Sequence, residues 1–386
     1  MPSSTPVPPT VPGMRPRFAP SSQPPAPPRF WSPPPDPEKP ACPYQAGFAV
    51  EIKRHTPPPP FGDPHHGPGA WRERSDVHLH SATQTEVVLA YPPLERENKL
   101  SSSPAPTATL TILRTLAVAD GRGAQLVVCS VTPNPCPQES DGIVAKIFDP
   151  LYYPFEAPEA AHVPDNVAWR ADTHYTHEAA ALDHLDRMRK AGYTGLSAPK
   201  SFGSWTFTLP ITHAGRKLQR SIRLVLMENI KGRSIRSVCC DLAALSRYNE
   251  PDRLGIFAIV LDSIVRQRHA GVDQRDLASR NVILRPSSSP SAGNKQPLPQ
   301  PVIIDYNTAV VFEFSRDGKR PFQLEKLPEN PMQIFWNMSF ADFQGWTPSK
   351  WDDSAKLRQQ WLKERFGGKA ALQYAPISAK LEFAKY

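Results

Sequence analysis

The chain has 386 residues, a formal net charge of +8 and no apolar run near the ~18 residues that a membrane span needs. Its N-terminus lacks the features of a secretory signal, and its five cysteines show no C-x-x-C spacing, which argues against a zinc site or a disulfide framework. We therefore expect an intracellular protein, cytoplasmic or nuclear, whose dispersed basic charge is surface charge rather than a nucleic-acid or membrane interface.

Nearly half of the 47 prolines lie in the first 70 residues. Such a segment donates few backbone hydrogen bonds and buries little apolar surface, so residues 1–105 are predicted to be a disordered arm and linker. Within it, Pro24-x-x-Pro27-x-Arg29 is a pattern that SH3-type partners recognise. The pairs His65-His66 and His78-x-His80 lack a third ligand nearby, so no metal site is predicted there.

Residues 106–232 alternate between strand and helix signals. The predicted elements are a hairpin of Leu110–Val118 and Gln125–Val131, a strand Gly142–Phe148, a helix Asp172–Lys190 capped by Asp172 or Thr173, and a strand Leu224–Glu228. Asp120-Gly121-Arg122-Gly123 supplies the hairpin turn. The order predicts a small α+β lobe built on an antiparallel sheet.

Residues 233–386 are predicted to be mostly helical. A core helix runs from Pro251 to His269 and ends at Gly271, and two short strands, Val282–Leu284 and Val302–Ile304, flank a Ser/Pro-rich loop. The tail beyond Pro331 is rich in Trp and Phe, which predicts irregular helices packed on a core.

Two polar motifs stand next to these short strands. The first reads Gln274-Arg275-Asp276-Leu277-Ala278-Ser279-Arg280-Asn281, and the second strand ends at Asp305. Phosphoryl transfer requires carboxylate and amide oxygens on Mg²⁺, a cation on the phosphates and an acceptor for the hydroxyl proton. An Asp and an Asn five residues apart, followed by a second Asp, can supply the metal ligands and the proton acceptor.

Together these motifs resemble those of the protein kinase superfamily, over about residues 108–310, and they also look like the uncharacterised kinase-like proteins of filamentous fungi. The resemblance implies a bilobal α+β fold, with a small antiparallel sheet lobe and a mostly helical, shortened C-lobe. It also implies that the ligands are ATP and Mg²⁺.

The resemblance assigns a role to each matching residue. Lys146 of Val144-Ala145-Lys146 would hold the α- and β-phosphates, and Glu178 would pair with it, with Asp183 and Asp186 as other acids of the same helix. The remaining roles are Asp276 as catalytic base, Asn281 and Asp305 as metal ligands, Glu228 at the adenine-binding hinge, and Gly121 and Gly123 near the phosphates.

The chain also departs from the family pattern. It lacks G-x-G-x-x-G in the hairpin loop and Ala-Pro-Glu after Asp305, Gln274 replaces a His, and Asp305-Tyr306-Asn307 replaces Asp-Phe-Gly, with Asn307 suited to a positive φ. Four functions stay open: an active phosphotransferase acting on a protein hydroxyl, a pseudokinase, a scaffold driven by the arm, and a small-molecule kinase of the aminoglycoside-phosphotransferase type. The joint presence of Lys146, Asp276, Asn281 and Asp305 favours the enzyme.

Overall fold

The computed structural model describes residues 31–74, 76–96, 105–135, 141–157, 160–287 and 297–384. Its strands are β1 Ala49–Arg54, β2 Thr107–Ala117, β3 Gln125–Thr132, β4 Ile143–Phe148, β5 Glu156–Ala157, β6 Ala160–Pro164, β7 Ser201–His213, β8 Arg216–Met227, β9 Arg233–Ser234, β10 Val272–Asp273, β11 Val282–Arg285, β12 Gln300–Ile303 and β13 Val310–Val311. Its helices are α1 Gln84–Ala90, α2 Val167–Lys190, α3 Ile235–Cys239, α4 Leu242–Leu245, α5 Glu250–Ala270, α6 Pro331–Phe335, α7 Lys350–Asp353 and α8 Ala355–Phe366. The predicted α+β class is confirmed.

Six strands close into an antiparallel barrel in the order β1-β2-β3-β4-β8-β7. Along β2, Leu110 and Ile112 are buried while Thr109 is exposed, which is the alternation of a strand with one face on a core. All six residues of β4 are buried, because this strand lies between β3 and β8 and also contacts α2. The sequence predicted β2, β3, β4 and the end of β8, but neither β7 nor the closure by β1.

The expectation of disorder for residues 1–105 is wrong for the described ranges 31–74 and 76–96. Strand β1 contains no proline and pairs with both β2 and β7, and its Ile52 is fully buried. The Tyr44 hydroxyl donates to Asp149 Oδ2 at 2.5 Å, and α1 begins with a capping box. The prolines of these ranges border the elements and do not interrupt them. The SH3-type pattern Pro24-x-x-Pro27-x-Arg29 lies outside the described residues.

Helix α2 crosses the barrel and carries the predicted acid. It begins at Val167 and not at Asp172, because the Asn166 side chain accepts a hydrogen bond from the Trp169 N–H and caps the helix. Asp172 and Thr173, the predicted caps, lie inside the helix. The helix ends at Lys190 as predicted, and Glu178 lies near its middle with its side chain buried.

The second half of the chain packs around α5. The Asn249 side chain caps this helix, Pro251 lies in its first turn, and Gly271 ends it with a φ of +114°, which glycine adopts without strain. The aromatic tail covers it: the Phe257 ring lies 4.8 Å from those of Phe340 and Phe343. The tail forms helices as predicted: α6 and α7 have only five and four residues, whereas α8 is a regular helix of 12 residues.

Strands β9, β11 and β12 form a small sheet, and β10 pairs with β13. The segment between β10 and β11 holds Asp276 and Asn281, and Asp305 follows β12. Among the described helices, none combines the length and the apolar character that crossing a bilayer demands. The predicted boundary between residues 232 and 233 falls between β8 and β9 and stays a prediction.

Candidate active site

A cavity of about 480 Å³ lies between the barrel and the β11–β12 hairpin. Strands β2, β3, β4 and β8 line one side of it, and the chain around Ile283 and Asp305 lines the other. Lys146, Glu178, Glu228 and Asp305 all contribute to its wall. Four residues that are far apart in sequence are thus brought to one cleft.

Lys146 lies between two carboxylates. Its Nζ is 2.7 Å from Glu178 Oε2 and 2.7 Å from Asp305 Oδ1, and the side chain is almost fully buried. Burial by itself lowers the pKa of Lys146, but Asp305 and Glu178 outweigh it and raise that pKa above its usual value. Neither Asp183 nor Asp186 takes the place of Glu178, because both pair with basic residues of α2 itself.

The two carboxylates respond differently to the same ammonium. Burial raises the pKa of Glu178, which is 1% exposed. Burial acts in the same direction on Asp305, but Lys146 reverses it and lowers the pKa of Asp305. Glu178 Oε2 also accepts a hydrogen bond from the Tyr306 N–H at 2.8 Å, so this oxygen joins α2 to the segment that follows β12.

Asp276 is held on several sides. Both of its carboxylate oxygens accept from Arg280 at 2.8 Å, and its Oδ2 also accepts from Asn281 Nδ2 at 2.8 Å. Gln274 supports the backbone: its Oε1 accepts from the Asp276 N–H at 2.9 Å and its Nε2 donates to the Asp305 carbonyl at 2.8 Å. An amide at position 274 therefore joins the Asp276 loop to Asp305.

Two non-glycine residues at this junction have left-handed backbone conformations, Arg275 with φ +66° and Asp305 with φ +65°. Such conformations persist where the surrounding structure imposes them, and they are concentrated at functional sites. The positive φ expected at Asn307 is found instead at Asp305. The Gln274 side-chain amide donates to the backbone carbonyls of Asp276 and Asp305, and these hydrogen bonds account for part of this constraint.

The predicted hinge residue Glu228 lines the cavity together with Asn229 and Ile230. Its N–H donates to the Lys200 carbonyl at 3.0 Å, and its carboxylate accepts from Arg285 at 2.8 Å. The Glu228 N–H and side chain are thus engaged within the protein. Residues 228–230 form this part of the cavity wall.

Gly121 and Gly123 are not among the described residues that line the cavity, although their neighbours Arg122 and Ala124 are. Gln125 folds their loop back on itself, donating to the carbonyls of Gly123 at 2.8 Å and Ala119 at 3.0 Å. The Gly123 N–H donates to the Tyr152 carbonyl at 3.3 Å. The described residues that line the cavity near this loop are Arg114, Arg122 and Ala124. Sequence reasoning missed these arginines, although Arg122 stands between the two glycines.

A second polar cluster contacts α2 through His177, the residue before Glu178. Asp63 Oδ2 is 2.8 Å from His66 Nδ1 and 3.5 Å from His177 Nε2, and the rings of the two histidines are 4.9 Å apart. The expectation that His66 has no third partner is therefore wrong. His177 lies far along the chain on α2, so no local spacing pointed to it.

No protein-family model and no curated protein matches this sequence. Among solved structures, the crystal structure of BubR1 kinase domain is similar at 10% identity, covering 63% of this chain and 58% of that chain with a TM-score of 0.35. The structure of vaccinia related kinase 3 is similar at 15% identity, covering 61% of this chain and 57% of that one with a TM-score of 0.32. The chain spans less than two thirds of either structure's length. Likenesses with such low TM-scores carry no argument about the activity of this protein.

Proposed function

We propose that this protein is a protein-kinase-like phosphotransferase that uses ATP and Mg²⁺ and transfers the γ-phosphoryl group to a hydroxyl, on a protein acceptor. One observation carries the proposal: Lys146 lies 2.7 Å from both Glu178 and Asp305, in a cavity of about 480 Å³. A buried ammonium set between two carboxylates at the wall of a cavity is suited to hold phosphates beside a metal ion.

In this proposal, different residues of the cleft bind the metal ion and the phosphates. Asn281 and Asp305 offer the amide and carboxylate oxygens that Mg²⁺ prefers, and bound Mg²⁺ would neutralise charge on the phosphates. Lys146, kept in place by Glu178, would bind phosphate oxygens from the barrel side. Arg114 and Arg122 at the cavity wall would add positive charge beside this loop, in which the Gly123 N–H donates to the Tyr152 carbonyl.

Asp276 is the candidate proton acceptor for the incoming hydroxyl. Arg280 and Asn281 fix the orientation of its carboxylate, and Gln274 fixes its backbone. A residue oriented from three sides can accept a proton without first reorganising. The acceptor hydroxyl would have to approach a carboxylate whose two oxygens already accept hydrogen bonds from Arg280.

A pseudokinase is the second candidate, and two observations favour it. Both Asp276 carboxylate oxygens accept hydrogen bonds from Arg280. In the loop of Gly121 and Gly123, the Gly123 carbonyl and N–H are hydrogen-bonded to Gln125 and to the Tyr152 carbonyl. In this alternative the cleft binds nucleotide or a partner without turnover. A small-molecule acceptor is a third possibility, and it differs from the main proposal only in what meets Asp276.

Nucleotide binding by the whole chain tests the proposal. Thermal unfolding is followed with ATP, with Mg²⁺ and with both; a ligand at a hundred times its Kd adds about 2.7 kcal/mol of stability. We expect a rise in Tm that requires both ligands. Asp305→Asn should abolish the Mg²⁺-dependent part, whereas Asp352→Asn, at an exposed position of α7, should not. No rise in Tm with ATP, whether Mg²⁺ is present or absent, would refute nucleotide binding.

A further inference from the structure

The cluster of Asp63, His66 and His177 is separate from the cleft and is not used by the proposed function. One ligand atom from each of the three residues lies within 4.8 Å of the other two. Asp63 and His66 belong to the segment between β1 and α1, and His177 lies on α2, one residue before Glu178. The cluster therefore joins the N-terminal segment to the helix that holds Lys146 in place.

The side chain of His177 leaves one nitrogen without a partner. Its Nε2 is 2.8 Å from the Phe61 carbonyl oxygen, which can only accept, so the ring proton lies on Nε2 and Nδ1 carries a lone pair. His177 is 2% exposed, and Nδ1 is buried with no hydrogen-bond partner in the described part of the chain. A buried lone pair without a donor is costly unless a cation fills the gap.

A proton is a poor candidate for that cation. A protonated Nδ1 needs a hydrogen-bond acceptor, and the described part of the chain offers it none. Neutral imidazoles and an ionised carboxylate are the forms that ligate metals.

The spacing also fits a metal ion. Zn²⁺ binds imidazole nitrogen at about 2.0–2.1 Å, which sets tetrahedral ligands roughly 3.3 Å apart. Asp63 Oδ2 lies 2.8 Å from His66 Nδ1, and one ligand atom of each of the three residues lies within 4.8 Å of the others, so small side-chain shifts bring all three to one ion. Backbone bonds hold the carboxylate in place, because Asp63 Oδ1 accepts from the N–H groups of His65 and His66 at 2.6 and 2.8 Å.

We propose that Asp63, His66 and His177 bind one divalent transition-metal ion of the Zn²⁺ class, which ties the N-terminal segment to α2. Two nitrogens and one carboxylate oxygen select such an ion over Mg²⁺, which prefers oxygen ligands. The ion would sit behind the helix turn that presents Glu178 to the cleft. The proposal concerns this cluster alone and does not depend on nucleotide binding.

The test measures Zn²⁺ binding by the whole chain after treatment with a chelator, by competition with a chromophoric chelator and without nucleotide. We expect one site per chain, unaffected by excess Mg²⁺. Asp63→Asn keeps Oδ1 for the two backbone N–H groups but loses the charged ligand, and it should weaken binding at least about tenfold. His177→Asn should do the same, whereas His80→Asn, at an exposed histidine, should have no effect.

Co²⁺ substitution separates this site from the thiols. Nitrogen and oxygen ligation gives visible d–d bands without thiolate charge-transfer absorption, and the bands should vanish in Asp63→Asn. Equal Tm values of Asp63→Asn and the unaltered chain in chelator would show that the variant folds, so it decides the question even if His177→Asn does not fold. The proposal would be overturned if the chain took up no stoichiometric Zn²⁺, if Asp63→Asn and His177→Asn took up as much as the unaltered chain, or if the Co²⁺ spectrum showed thiolate absorption. The three residues would then form a hydrogen-bonded cluster only.

Discussion

Burial of the Lys146 ammonium in the cleft costs folding free energy. The residue is 6% exposed and its ammonium faces two carboxylates, of which only Glu178 is fully buried. Burying a charge is unfavourable unless partners compensate it, and removing one partner leaves an uncompensated charge. Such an arrangement is weak evidence for stability. It is more readily understood as a site prepared for an anionic ligand.

Asp276→Asn tests the proton acceptor. The amide keeps the size of the carboxylate but cannot accept a proton, so we expect ATP turnover to fall by about 10²–10⁴. The Mg²⁺-dependent rise in Tm with ATP should persist, because Asp276 is not assigned to the metal. Turnover is measured as ATP hydrolysis or phosphotransfer, with Asp352→Asn as the control. Undiminished turnover in Asp276→Asn would contradict the assignment.

Asp172 predicts a specific pH dependence of stability. Burial raises its pKa from 3.8 to about 7, although the Leu94 N–H and Arg223 partly oppose the shift. The folded state therefore holds this proton more tightly than the unfolded chain does. The resulting stabilisation is complete below pH 4 and is lost as the pH rises through about 7.

Asp172→Asn removes that titration while its amide oxygen can still accept from Leu94. The free energy of unfolding of the variant, relative to the unaltered chain, should rise between about pH 4 and pH 7 by up to about 1.4 kcal/mol per pH unit and then level off. Urea unfolding at several pH values measures the difference, and neighbouring groups present in both proteins cancel. Parallel pH curves for the two proteins would show that Asp172 titrates normally.

At the scale of elements, β1 decides whether the barrel is closed. It pairs with β2 through five residues and reaches β7 through Lys53 and Arg54. Its side chains alternate around Ile52, the one buried residue of the strand. A strand this short adds little by its own propensity, so its position depends on the two neighbours that it pairs with.

Ile52→Ala tests this closure. Truncating a fully buried isoleucine leaves a cavity, so we expect a loss of about 2–5 kcal/mol in the free energy of unfolding. Glu51→Ala, at the exposed neighbouring position of the same strand, should change it by no more than about 0.5 kcal/mol. Denaturant unfolding of both variants provides the measurement. If Ile52→Ala costs no more than Glu51→Ala, β1 does not belong to the core.

At the scale of the whole molecule, the N-terminal segment is part of the folded body. Tyr44 bonds to buried Asp149, α1 contacts α2, and Asp63 with His66 lies against His177. The proline-rich sequence therefore wraps around the barrel and the back of α2. Removing it exposes edges of β2 and β7 that β1 covers.

Truncation gives the corresponding prediction. A chain that begins at residue 31 should unfold cooperatively with a Tm close to that of the whole chain, because every described contact is retained. A chain that begins at residue 105 should lose cooperative unfolding and aggregate, since it lacks β1, α1 and Tyr44. Calorimetry and size-exclusion chromatography compare the two. A stable, monomeric chain from residue 105 would show that the folded body does not need this segment, as the prediction of a disordered arm implied.

Local signals were sufficient for much of the chain. Runs rich in Leu, Ile, Thr and Val around a Gly-bearing turn identified β2 and β3, and helical spacing with Pro251 and Gly271 located α5 to within one residue at each end. The pairing of Lys146 with Glu178, predicted from the kinase resemblance, is also observed. These predictions succeeded because periodicity, helix caps and motif order depend on residues that are close together in the sequence.

Composition alone misjudged residues 31–74 and 76–96, since counting prolines ignores where they fall relative to strands. The sequence by itself determined the α+β class, the main hairpin, α5 and the set of acidic and basic residues that meet at the cleft. Only the tertiary structure decided that β1 closes the barrel, that Gln125 binds down the glycine loop, and that His177 reaches Asp63 and His66. Each of these depends on residues distant in the chain approaching within a few ångströms, which no local pattern encodes.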